Sequence, residues 1–183
     1  MQTTIPSTSS VFAALLKADF TTQWRNRRSV VMVLLVPIII CLTWKPFVDK
    51  LGGAFVLSNS ITIGLIAIGL MGYSISVARD RDKGIFQRLR VAPVPAWSIM
   101  MSRLLVQLAM IVLLTIVVFV AGSYFDNIKL KPQEYIFGFL TSLVGGAVYL
   151  GLGQAIVGRI KNPETVNATS RLIYLIFIMV GMF

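Results

Sequence analysis

Charged residues divide this sequence into long apolar runs. Ser29 to Trp44 is 16 residues without a charge, Leu51 to Ala78 is 28, Leu104 to Phe125 is 22, Tyr135 to Gly158 is 24 and Leu172 to Phe183 is 12. A bilayer core about 30 Å thick needs roughly 20 helical residues at about 1.5 Å each. The third and fourth runs meet that length directly, and the second is long enough to include a loop. The first spans if Lys45 snorkels or if Phe47 and Val48 join it. The last run reaches only about 18 Å as a helix. It is expected to be an incomplete span of a truncated chain, with a re-entrant or interfacial segment as the alternative. The pattern predicts an all-α polytopic membrane protein, a bundle of about five membrane helices over residues 29–48, 52–78, 104–125, 135–158 and 172–183. A Ser- and Thr-rich flexible tail, 1–10, and a segment at 11–28 precede this membrane domain, 29–183.

Composition supports the same class: 56% of the 183 residues are hydrophobic and 13% charged, with a mean hydropathy of +0.82, outside the soluble globular range. The net charge of +10 would raise nucleic acid as a partner in a soluble protein. Here the basic residues lie between apolar runs and describe topology. Thirteen lysines and arginines fall in the N-terminal segment and the second and fourth connections, against four on the opposite side, Lys45, Lys50, Lys129 and Lys131. The positive-inside rule therefore puts the N-terminus in the cytoplasm of a multi-pass cell-membrane protein. A single cysteine, Cys41, and the absence of histidine leave no basis for a disulfide frame, a Cys/His metal site or a catalytic constellation. No apolar run contains an ionisable carboxylate or base, which argues against ion-coupled transport.

Asn59, Thr62, Gln107, Tyr149 and Gln154 are polar residues within the runs. They are candidates for a translocation path, or for hydrogen bonds between helices. Ala147, Gly151 and Ala155 recur at one-turn spacing, and Ser60, Gly64, Gly72 and Ser76 less regularly, so helices can approach closely there, within one subunit or at a dimer seam. Pro37 predicts a kink in the first span, or a tolerated membrane proline. Gly153 to Ile160 has the glycine spacing of a phosphate-binding loop but lacks its Lys and Ser/Thr.

Two polar segments carry mechanistic signals. Phe12, Leu15, Leu16, Phe20 and Trp24 recur at helical spacing before Arg25, Arg27 and Arg28, the pattern of a helix lying in the membrane interface, although Asp19 interrupts it. Membrane lipid is its expected partner. Between the second and third spans, the island Ala78 to Trp97 has Gly84 ahead of a short helical pattern. Ile85, Leu89 and Ala92 share a face with Phe86 beside them, and Pro93 and Pro95 stop it. A short amphipathic helix at a loop tip suits insertion into a groove on a soluble partner.

Arg79-Asp80-Arg81-Asp82-Lys83-Gly84, followed by Arg88-Leu89-Arg90-Val91-Ala92-Pro93-Val94, resembles the corresponding loop of the type-2 ABC exporter permeases, with Asp where Glu is commoner. Lys161-Asn162-Pro163-Glu164 is similar to that family's last cytoplasmic loop. The resemblance implies six spans, an interfacial connecting helix before the first and a coupling helix between the second and third. It also implies a homo- or heterodimer of permeases bound to separate ATPase subunits, which hold ATP and Mg, with no cofactor on the permease itself. On that basis Ile85, Phe86 and Leu89 would anchor in an ATPase groove, while Arg79, Asp80, Arg81, Asp82 and Lys83, with Arg88, set charge complementarity. The alternatives are a membrane scaffold that recruits a soluble partner without transport, and a passive channel or secondary carrier.

Overall fold

The computed structural model describes residues 7–90 and 95–182. Most of these residues are helical, and no strand occurs among them. The first residues of the expected tail, Pro93 of the island and Phe183 lie outside the described residues.

Helix α1, Thr8–Arg25, opens at Ser7, whose hydroxyl accepts the Ser10 N–H at 3.4 Å. Asn26 then ends one helix and begins the next. Its N–H donates to the carbonyls of Thr22 and Gln23, while its side-chain oxygen accepts the Ser29 N–H at 3.4 Å. A residue that caps both ends departs from helical ψ itself, and Asn26 has ψ 63°. The axis turns by 63° between Thr8–Arg25 and Ser29–Thr43.

Helix α2, Arg27–Thr43, ends five residues before the predicted limit of the first span. Pro46 has no N–H for an α-helical bond, and the Trp44 carbonyl instead takes the Phe47 N–H at 2.9 Å, closing a 3-10 turn at Lys45–Phe47. A single turn, α3, Val48–Leu51, follows. Pro37 sits inside α2 without breaking it.

The second run contains no loop. Gly53–Asp82 is one rod of 30 residues, made of α4, Gly53–Ile66, a π-helical segment, Ala67–Tyr73, and α5, Ser74–Asp82. It forms the centre of the core, where Leu57, Ile66, Leu70 and Tyr73 are buried against Ile111, Leu114, Val118 and Leu150. After the six-residue α6, Ile85–Arg90, come α7, Ala96–Phe125, and α8, Pro132–Arg159. Helix α7 starts before the predicted Leu104 because Arg103 finds a carboxylate inside the fold. Helix α9, Pro163–Met182, begins nine residues before the last apolar run. Asn162 accepts the Glu164 N–H at 2.8 Å and starts a helix of 20 residues, about 30 Å long.

Three helices, Gly53–Asp82, Trp97–Phe125 and Pro132–Arg159, are long and apolar enough to cross a membrane, and the bent pair at Asn26 makes a fourth if it is one span.

Within the single chain the small-residue stripes are only partly used for packing. Ala147, Gly151 and Ala155 are all exposed. The contacting face of α8 carries Gly146 and Gly153: a Cβ on Gly153 would stand 2.3 Å from the Gly69 carbonyl oxygen, and one on Gly146 would stand 2.5 Å from Ile111. In the other stripe, Ser60 and Gly64 are buried against neighbours whereas Ser76 is exposed.

Candidate functional site

The charged island and the helix ends around it form the site. Helix α5 passes into α6 through Lys83 and Gly84, and Gly84 has φ +69°. A side chain at that φ is disfavoured, so glycine permits the reversal. In α6, Gln87 and Arg88 are exposed while Ile85, Phe86 and Leu89 are half-buried.

The island's charges divide into two groups. Asp80 pairs with Arg103 of α7 at 2.7 Å, with both side chains largely shielded from solvent. The same guanidinium lies 4.9 Å from the centroid of the Phe86 ring, a cation–π contact that fixes the start of α6. Arg81 donates to the carbonyls of Val157, Ile160 and Lys161 at 2.8, 2.6 and 2.8 Å. It thus caps the C-terminal end of α8, where free carbonyls and the helix dipole both favour a cation. Asp80 and Arg81, read from sequence as charges for a partner, are committed to internal contacts. Arg79, Asp82, Lys83 and Arg88 remain exposed.

One residue before Arg103, Ser102 is fully buried and its hydroxyl donates to the Asp19 carboxylate of α1. The Asp19 that interrupted the apolar stripe is therefore the polar anchor of α1 on α7. Phe12 meets Trp97 at 6.1 Å between ring centroids, and Leu16 is half-buried on the same side. Phe20 and Trp24 stack on each other at 6.2 Å and remain about half exposed, so the four aromatic and aliphatic candidates of α1 split between two faces. Only one face docks. On the far side of this platform, the buried hydroxyls of Ser74 in α5 and Ser170 in α9 are 2.9 Å apart.

The five candidate path residues are not brought to one place. Gln107 is buried and borders a cleft of about 720 Å³ between α2, the central rod, α7 and α9. Thr62 and Tyr149 line a cavity of about 510 Å³ toward α8, and Asn59 lines a smaller one of about 270 Å³ with Phe177. Gln154 borders none of these cavities and accepts a hydrogen bond from the Tyr73 hydroxyl. That bond joins the central rod to α8. At the other end of the bundle Asp126 is buried at the end of α7, accepting from the Cys41 thiol at 3.4 Å with Lys45 3.9 Å away. Sequence reasoning missed this cluster because Asp126 lies just beyond an apolar run.

No group of acidic, cysteine or histidine side chains suited to a metal ion occurs among the described residues.

Residues 10–183 match the family described as ABC-2 type transporter. The chain belongs to that family. Its all-helical architecture, with helices long and apolar enough to cross a membrane, agrees with that membership. A similar protein is "Putative transport permease YvfS" of Bacillus subtilis (strain 168), 23% identical over 163 residues, covering 86% of this chain and 66% of the relative. This chain thus matches about two thirds of that relative's length.

Proposed function

We propose that this chain is the membrane permease subunit of an ATP-driven exporter, with α6 as the element that receives force from a separate ATPase. The observation that carries this reading is the platform beneath α6. Arg103 holds α5 and the start of α6, neighbouring Ser102 holds α1, and Arg81 holds the end of α8 and the turn into α9. A push on α6 reaches α1, the central rod, α7, α8 and the turn into α9 through polar contacts at its base. Such a connection suits a rigid-body switch of a transport path, and a scaffold has no need of it. Dimerisation with a second permease and loading of ATP and Mg on the ATPase belong to the same proposal.

Leu89→Asp tests it. The variant adds a charge to the half-buried face of α6 without touching the platform. It is expected to abolish co-purification with the partner ATPase, while membrane insertion is unchanged. Retained complex formation and retained ATP-dependent flux in vesicles would exclude α6 as the coupling element. A complex that forms but gives no ATP-dependent flux in the unmodified protein would favour the scaffold.

Orientation has its own test. In a Cys41→Ser background, Ser9→Cys is expected to react with a membrane-impermeant maleimide only in inside-out vesicles, and Lys129→Cys only in right-side-out ones. The opposite pattern would invert the topology.

A further inference from the structure

The 720 Å³ cleft is amphipathic in a definite direction. Arg79 of α5, Lys83 just beyond its end and Arg171 of α9 line its polar end, with Gln23 and Asn26 from the α1–α2 joint. All three cations are exposed, and none has a carboxylate within 4.0 Å among the described residues. Asp80, the acidic residue of the lining, is already neutralised by Arg103. Below this rim the walls include Met32, Val36, Ile63, Met71 and Met110, with the buried Gln107 amide and Ser29, Ser76 and Tyr174 as polar members of the lining. Methionines make a wall that adapts to flexible apolar chains.

From this arrangement we infer that the cleft binds a membrane amphiphile with an anionic phosphate or carboxylate head, the head held by Arg79, Lys83 and Arg171 and the acyl chain lying along the methionine-lined wall. Two independent features meet here, convergent cations from two separate segments and an apolar wall beneath them. Topological charge alone explains the cations without the wall. Binding as such does not rest on ATP coupling, but a role for this amphiphile as cargo does rest on the exporter reading.

Phosphatidylglycerol is the probe, with phosphatidylcholine as its zwitterionic comparison, read by native mass spectrometry of the purified full chain in detergent. The expected result is a preference for phosphatidylglycerol of about tenfold, given screening of exposed charges. It is lost in the Arg79→Gln/Lys83→Gln/Arg171→Gln variant and kept in Lys129→Gln/Lys131→Gln, which removes cations from the other end of the bundle. Met71→Trp, which fills the wall, should weaken both lipids while leaving the preference intact. Arg171→Gln alone, which leaves the island untouched, should reduce the preference and serves if the triple variant does not fold. Inorganic phosphate at millimolar concentration should not displace the lipid. Equal binding of the two lipids, or equal effects of the two charge-removing variants, would overturn the assignment. Full competition by inorganic phosphate with no effect of Met71→Trp would assign the cations to a free anion instead. Since no ATPase is present, failure here is separate from failure of the Leu89→Asp test.

Discussion

Arg81→Met is expected to lower the stability of the chain by about 3 kcal/mol, because it removes charge-assisted bonds to three carbonyls at the end of α8 and leaves part-buried acceptors unsatisfied. Methionine keeps the apolar stem, so the loss reports the guanidinium. Arg81→Lys retains a cation near the helix terminus but cannot fork across three acceptors, and it should recover no more than about half of the loss. Thermal denaturation in detergent, followed by the monodisperse fraction on size exclusion, measures both variants. In the assembled transporter the same change should leave ATPase binding intact and sharply reduce ATP-dependent flux, since the α6 surface is untouched while its link to α8 is cut. A variant as stable as the unmodified protein would remove Arg81 from the platform.

The second large effect concerns one methyl group. Gly153→Ala places a Cβ 2.3 Å from the Gly69 carbonyl oxygen, and Gly69→Ala places one 2.7 Å from the Tyr149 backbone. Backbone cannot rotate aside as a side chain can, so the central rod and α8 must separate. Overpacking of this kind costs about 1–3 kcal/mol, and the alanine substitutions are expected at the upper end. The Tyr73–Gln154 hydrogen bond beside the contact should weaken with it. Gly151→Ala is the contrast: nothing stands within 4 Å of its Cβ position, and a helical glycine replaced by alanine gains up to about 1 kcal/mol. Two glycines one half-turn apart on the same helix should therefore give effects of opposite sign in the same denaturation assay. Equal effects would mean that α8 presents a different face to the rod.

Gly151 and Gly153 also illustrate what was legible beforehand. One-turn spacing singled out Ala147, Gly151 and Ala155, yet that stripe faces outward, and the helix contacts through Gly146 and Gly153. In an apolar helix both faces are hydrophobic, so periodicity carries no information about which one packs. The polar candidates met the same limit. Asn59, Thr62, Gln107, Tyr149 and Gln154 were all visible as polar residues in lipid-length runs, but their distribution over three cavities and one hydrogen bond depends on neighbouring helices.

Charges behaved differently according to reach. The island's position, its glycine reversal and its short helix followed from local chemistry: Gly84 takes a positive φ, and an apolar face recurs over Ile85 to Leu89. Its division of labour did not. Asp80 and Arg81 are adjacent in sequence to Arg79 and Asp82, and only contacts with Arg103 and with carbonyls some 80 residues away commit them to the interior.

By itself, then, the sequence determined the class and the alternation: apolar runs too long for a soluble core, separated by basic segments, specify a helical membrane bundle and the loops between its members. Those features depend on transfer of apolar side chains into lipid and on local helix caps, which a linear pattern records. The docking face of α8 and the assignment of Arg81 and Asp19 were decided only by tertiary structure. The π segment between α4 and α5 belongs with them. Each depends on which groups meet across helices, and that is set by packing of similar apolar surfaces and by pairing of a few buried polar groups, neither of which has a period along the chain.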